Sequence, residues 1–530
     1  MTLKNLFIGF SFLAAASCPA AKDGDYAFTI LSTGDVHGCW FDSAFAGGKT
    51  RPSLMAVQEY ADALRDSLGS DKVLLIDAGN MLQGSPAAFY FNEIDREPPH
   101  LLPRLAAWMK YDVMAAGPEE AESGAGPRVA SELKKAGIAC LEAGDWAVVD
   151  KGGVRTLVFS LPSAEAVSVR DFQQTVDKVT ERTRPQLVAV VVNAKASRFC
   201  DSLKRVDLFI GTRSARVKSD SVTVLETGSN CRTLGKCEVT LSVRKGRVVS
   251  RSLVPEAVWM DANAAGPAMK KAFREDFLAV DRFVGTPVAE LKEDLVSRDA
   301  FRGACSYASL FHAAALDCDP VDISLHGPLA VDDTIPAGPV TYGDLPRLYP
   351  FGNRMLVVKM TGGEVLDLLE ASYAAWVGTV TGPEDPLLEM KRSGPGKWNF
   401  AHNPGHFVTA GGIDYVVDVG PRAENGRRVT VLGMADGSDF DRGKTYKVAV
   451  TSYLATGAGG LLKACAIDPA AIDGRLVMRG PDYRTVLYNY LRSHPAVEAD
   501  ALAKTGTWKF VPEEQAQKAL DRDLALIFPK

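Results

Sequence analysis

Short apolar runs recur along the first half of the chain, and each ends in a polar, glycine-bearing loop. Tyr26 to Leu31 predicts a first strand opening into 32–39 (STGDVHGC); Val73 to Ile76 predicts a second, opening into 77–84 (DAGNMLQG). Between them, apolar positions at Leu54, Val57, Ala61 and Leu64 keep a helical period over 52–68. A further helix is expected at 101–109, with strands at 113–115, 187–193 and 206–211. Runs this apolar do not alternate, which marks strands buried on both faces, and their alternation with helices predicts an α/β domain. Ligand chemistry in such domains gathers at the carboxyl ends of strands, so these loops are the candidate sites. Residues 238–243 and 248–254 predict a closing hairpin, and 262–283, apolar at Met269, Phe273, Phe277 and Val280, a connecting helix.

Length adds a second domain, since 530 residues exceed what one hydrophobic core serves. Lys+Arg 60 against Asp+Glu 65 leaves a net charge of −5 with no basic stripe, which argues against a nucleic-acid partner. The first residues predict a targeting segment: Lys4 precedes an apolar run, Leu6 to Ala16, shorter than the ~20 residues that span a bilayer. It ends in Ala15-Ala16-Ser17-Cys18, similar to a bacterial lipobox with Cys18 as the lipidated residue; ordinary cleavage near Ala20 is the alternative. The expectation is an exported lipoprotein of the bacterial cell envelope (periplasm or outer membrane), touching the membrane only through its lipid anchor. In an oxidising compartment the other eight cysteines can pair, and Cys231 and Cys237 flank a short stretch that could close a small loop. Their spacing does not resemble a zinc site.

The loops carry a resemblance. Asp35-Val36-His37-Gly38 is similar to the D-x-H metal motif of calcineurin-like metallophosphoesterases, and 77–84 resembles the D-A-G-D-x-x-Q-G motif of their 5'-nucleotidase branch. Gly117-Pro118-Glu119-Glu120 and Gly211-Thr212-Arg213-Ser214 fall where that family carries G-N-H-[DE] and G-H-x-H. In the second half, 338–345 (GPVTYGDL), 350–353 (PFGN), 360–365 (MTGGEV) and 411–415 (GGIDY) follow in the family's order. The resemblance implies an N-terminal calcineurin-like α/β sandwich of two mixed sheets flanked by helices, a helical linker and a C-terminal α/β 5'-nucleotidase domain. The expected boundaries are 1–18 for the signal peptide, 26–255, 256–285 for the linker and 286–530.

Family members hold two divalent ions ~3.5–4 Å apart, which polarise a phosphoryl group and generate hydroxide. Of that ligand set the resemblance places Asp35 and His37 here. Asn80 stands where a carboxylate would bridge both ions, Pro118 where an Asn ligand stands, and Glu119 in place of the acid His. The loop 192–195 has no His, and Thr212 and Ser214 replace two more, with Arg213 between them. The expectation is a protein without its binuclear metal cofactor, binding a nucleotide, sugar-phosphate or related ester without turnover, or serving as a partner. The alternative is an active metal-dependent 5'-nucleotidase or phosphoesterase. There Asp35, His37, Asp77, Glu119 and Glu120 would surround one Mn, Zn or Co ion. The blander readings are that Asp35 and His37 only hold their loop, and that Glu119, Glu120 and Glu122 form a solvated acidic loop.

In the second half the family stacks a nucleotide base between two aromatic rings, a contact tolerant of base identity. Phe351 matches the first ring, with Asn353 two residues on; Leu461 replaces the second. Arg302 matches one family Arg, whereas 326–331 (HGPLAV) has lost another. Phe351, Arg302 and Asn353 are therefore the candidate substrate contacts, Phe351 reading equally as a core aromatic.

Overall fold

The computed structural model describes residues 22–161, 169–194, 196, 199–212, 217–219, 222–263 and 266–529. Cys18 with its targeting segment, Lys195, Arg213 and Ser214 lie outside the described residues. The chain divides into two compact units, Met1–Phe283 and Val284–Lys530.

The first unit contains β1 (Gly24–Thr33), β2 (Val73–Asp77), β3 (Val113–Ala115), β4 (Ala139–Leu141), β5 (Trp146–Lys151), β6 (Val154–Leu161), β7 (Leu187–Val192), β8 (Leu208–Gly211), β9 (Val217–Ser219), β10 (Thr223–Glu226), β11 (Thr233–Arg244) and β12 (Arg247–Trp259). They form two mixed six-stranded sheets, ordered β12-β11-β1-β2-β3-β4 and β5-β6-β7-β8-β10-β9. Ile30, Leu74, Ile76 and Val113 of one sheet share a core with Val158, Ala189, Val191 and Ile210 of the other, which is the α/β sandwich expected. The helix Leu54–Leu68 begins where Ser53 accepts a hydrogen bond from the Met55 N–H, and it stops at Gly69, whose φ of 97° favours glycine.

Register brings the loops together. Thr33 of β1 pairs with Asp77 of β2 in a parallel ladder, so both following loops leave the same edge. Val192 of β7 likewise pairs with Gly211 of β8. The predicted helix over 262–283 is two helices, Pro267–Ala272 and Arg274–Gly285, because Phe273 leaves helical geometry between them. Phe277 packs its ring on Phe41 and Phe45, and Arg104 makes a two-pronged pair with Asp276, at 2.7 and 2.9 Å.

The second unit is built on a five-stranded sheet, in the order Thr409–Gly411, Ile323–His326, Thr445–Thr451, Arg354–Thr361 and Leu476–Asp482. Its core is aromatic, with Phe301, Tyr373, Trp376, Phe407 and Trp508 in contact. Among the described residues no helix is long and apolar enough to cross a membrane. All eight described cysteines are free. The expected Cys231–Cys237 loop does not form: Cys237 is fixed in β11 opposite Ile30, while Cys231 turns toward Cys39.

Candidate functional site

At the carboxyl ends of β1, β2 and β7 the residues singled out by sequence meet in one network. Asp35, His37 and Asn80 all adopt left-handed backbone, with φ of 47°, 49° and 64°. Non-glycine residues there are uncommon, and Asn and Asp are the best suited. The loops after β1 and β2 are laced by backbone bonds, Asp35 N–H to Gly79 O and His37 N–H to Asn80 O, both 2.9 Å.

Asn80 is the centre. Its Nδ2 donates to Asp35 Oδ1 and to Asn193 Oδ1, each at 2.9 Å, and its Oδ1 accepts from the Glu119 N–H at 3.2 Å. A backbone N–H only donates and a carboxylate accepts, so these neighbours fix the orientation of the amide. Asn193 Nδ2 donates to Asp35 Oδ1 at 3.0 Å and to the Ala78 carbonyl at 3.2 Å. Asp35 Oδ1 thus faces two amide groups. Gly117 is required beside them, since a Cβ there would lie 2.5 Å from Asn80 Oδ1.

The acidic pair divides its roles. Glu120 accepts from the backbone N–H groups of Asn80, Met81, Leu82 and Gly117 at 2.5–3.1 Å, fastening the second loop to the helix Pro118–Glu122. Burial, with Glu119 alongside, raises its pKa against the pull of those N–H groups. Glu119 Oε1 lies 2.8 Å from His37 Nδ1, and its Oε2 is buried without a partner. Burial alone would lower the His37 pKa; the bond to Glu119 and the charges of Glu119, Asp35 and Glu120 outweigh it and leave it raised. Glu122 is exposed.

Asp77 lies apart from this network. It is fully buried, accepting from Thr33 Oγ1 and the Gly79 N–H at 2.7 Å each, and burial holds its pKa well above the ordinary value. Thr212 is wholly buried with an unpartnered hydroxyl, its methyl close against Gly34. Among the described residues no three His, Cys, Asp or Glu side chains are gathered as a metal-binding group. Sequence reasoning missed Asn193, because that loop was searched for imidazoles. Its place at the end of β7 was the available signal.

In the second unit Phe351 is 51% exposed, so the core reading of this ring fails. Leu461 is buried at 4%. Asn353 donates to Tyr349 Oη at 3.2 Å and its carbonyl accepts from the Tyr483 N–H, which fixes the turn bearing Phe351. Arg302 is committed elsewhere, to Asp521 at 2.6 Å on the helix Glu513–Ile527. Two histidines are buried in this unit: His312 bonds Ser324 and Thr409, and His326 lies flat on Phe311.

Residues 286–466 match the family model of the 5'-nucleotidase C-terminal domain. A Staphylococcus aureus protein provisionally assigned as a 5'-nucleotidase, solved with α-ketoglutarate, superposes with a TM-score of 0.62 at 17% identity, covering 91% of this chain and 99% of that one. The NAD nucleotidase of Haemophilus influenzae gives a TM-score of 0.58 at 15% identity, covering 92% and 99%. Endonuclease YhcR of Bacillus subtilis is 23% identical over 172 residues, 32% of this chain but only 11% of the endonuclease.

Proposed function

This is a 5'-nucleotidase-like chain, its second unit carrying the family's C-terminal domain on a two-domain α/β fold, and from that premise we propose that it works without the binuclear metal centre. It acts as an exported, non-catalytic binder of a nucleotide, sugar-phosphate or related ester, or as a partner protein. The observation that carries this reading is the Asn80 amide. Its hydrogens point at Asp35 and Asn193, where a bridging carboxylate would point lone pairs at cations. Two cations between these groups would need donors of electron pairs, and a neutral amide turned this way supplies hydrogens instead. Glu120, one candidate substitute ligand, already serves four backbone amides. The exported part of the reading rests on residues 1–18 alone.

One observation favours the alternative, a single-ion phosphoesterase: Glu119 Oε2 is buried without a partner beside His37. The deciding measurement is phosphate release from 5'-AMP and from a generic phosphodiester with Mn²⁺, Zn²⁺ or Co²⁺, and Asp35→Ala as control. No release above the variant is expected. Metal-dependent turnover lost in Asp35→Ala would sink the non-catalytic reading.

A further inference from the structure

We propose that Cys39 and Cys231 form a disulfide site, a covalent tie between the loop carrying Asp35 and His37 and the turn that follows β10. The two residues are 192 positions apart, yet Cys231 Sγ lies 3.8 Å from the Cys39 carbonyl oxygen. Cys39 Sγ in turn lies 3.6 Å from Oδ1 of Asn230, the residue before Cys231. Both backbones are already held. The Asn230 N–H donates to the Asp35 carbonyl at 2.8 Å, and the Leu54 N–H to the Cys39 carbonyl at 2.9 Å. Asn230 and Cys231 both take left-handed backbone, φ 56° and 52°, which turns the Cys231 side chain inward. A disulfide needs Cα atoms ~4.4–6.8 Å apart and side chains that face each other. Each sulfur touches the other's pinned segment, which brings the two side chains within reach of each other.

The reaction is thiol–disulfide exchange with an external disulfide such as oxidised glutathione. One cysteine thiolate attacks that disulfide, forming a mixed disulfide and releasing one glutathione thiolate. The second cysteine thiolate attacks the first cysteine's sulfur in that mixed disulfide, breaking its bond to glutathione and releasing the other glutathione thiolate. Two protein thiols are oxidised, one external disulfide is reduced, and two protons leave. Cys39 and Cys231 are 1% and 3% exposed, so the exchange belongs to folding, before the loops close. Burial raises both thiols, against the charge of Arg51, whose guanidinium nitrogens Nε and Nη2 are buried without partners.

The test is to reduce and unfold the full chain in urea, then refold it in a mixed reduced and oxidised glutathione buffer. Free thiols are alkylated in denaturant and the linked peptides mapped by mass. The expected result is a Cys39–Cys231 peptide as the main link. Alkylation of both residues overturns the proposal, as does either one linked elsewhere, to Cys237 for instance. The same mapping on chain exported to a bacterial periplasm keeps the test open where refolding fails. The linked form should melt several degrees higher, roughly, than the dithiothreitol-reduced form, a gap lost in Cys39→Ser/Cys231→Ser. Equal melting of the two wild-type forms overturns the tie as a support of the loop.

Discussion

In the first unit both amide hydrogens and the oxygen of Asn80 are engaged, by Asp35, Asn193 and the Glu119 N–H, whereas the turn at Phe351 in the second unit leaves its ring half exposed. Among the described residues no aromatic ring stacks on Phe351. The two regions have different freedom to change. A buried polar group must be answered by its neighbours, because an unmade hydrogen bond there costs more than a made one gains. Strand-end polar residues are therefore tied to one another, as the mutual contacts of Asn80, Asn193 and Gly117 display. An exposed ring can lose its partner at almost no cost to the fold.

Acid should break the balance between the units most strongly. Burial lowers the pKa of His312 to about 4 and of His326 to about 3 in the second unit, and of His100 to about 3 in the first. The folded state holds all three neutral, so their stability is intact above the unfolded value of about 6.5. It is lost as pH falls toward the folded values, because the unfolded chain takes the proton first. At about pH 5 each costs about 2 kcal/mol, so the second unit loses roughly twice what the first does from these groups. Urea unfolding followed by hydrogen exchange resolved by unit measures this. Equal loss in both units would contradict it.

Asp35→Ala should come next, at about 3 kcal/mol, because it strands amide hydrogens of Asn80 and Asn193 at a buried position. A urea midpoint unchanged from wild type would mean that the network is not what holds these loops. Asn80→Asp is a sharper probe. It sets a second carboxylate against Asp35 and against Asn193 Oδ1, and should cost about 2 kcal/mol at neutral pH. Added Mn²⁺ should recover part of that loss by thermal shift while leaving wild type unmoved. A wild-type shift as large as the variant's would break the contrast from the other side.

Legibility in the sequence followed the same division. Seven of the first unit's strands and both candidate regions could be read from apolar runs and motif order, since those patterns are local, while β4 to β6 between them were not read. What each polar residue does could not. Glu120 looked like part of a solvated acidic run, yet it answers four backbone amides. The Gly117-Pro118 start with Glu120 at the third helical position was a capping signature already present in the chain. The place of Asn193 at the end of β7 was legible, but its bonds to Asp35 and Asn80 depend on β7 ending beside β2's loop, a tertiary fact. The break in the helix at Phe273 was equally hidden, since the apolar period runs through it unbroken.

The smallest effect on stability belongs to Phe351→Ala. A ring 51% exposed and unstacked contributes little to folding, so the change should stay within about 0.5 kcal/mol. The turn itself is held by Asn353 and Tyr349, which the substitution leaves in place. That makes it the cleanest test of a binding role. If a purine nucleotide stacks on this ring, affinity should fall by about 1–3 kcal/mol with the urea midpoint unchanged. Isothermal titration of 5'-AMP against wild type and variant reads this directly. Equal affinity in both would move the binding site away from Phe351, and the exposed turn would then differ from the first-unit network only in being free to drift.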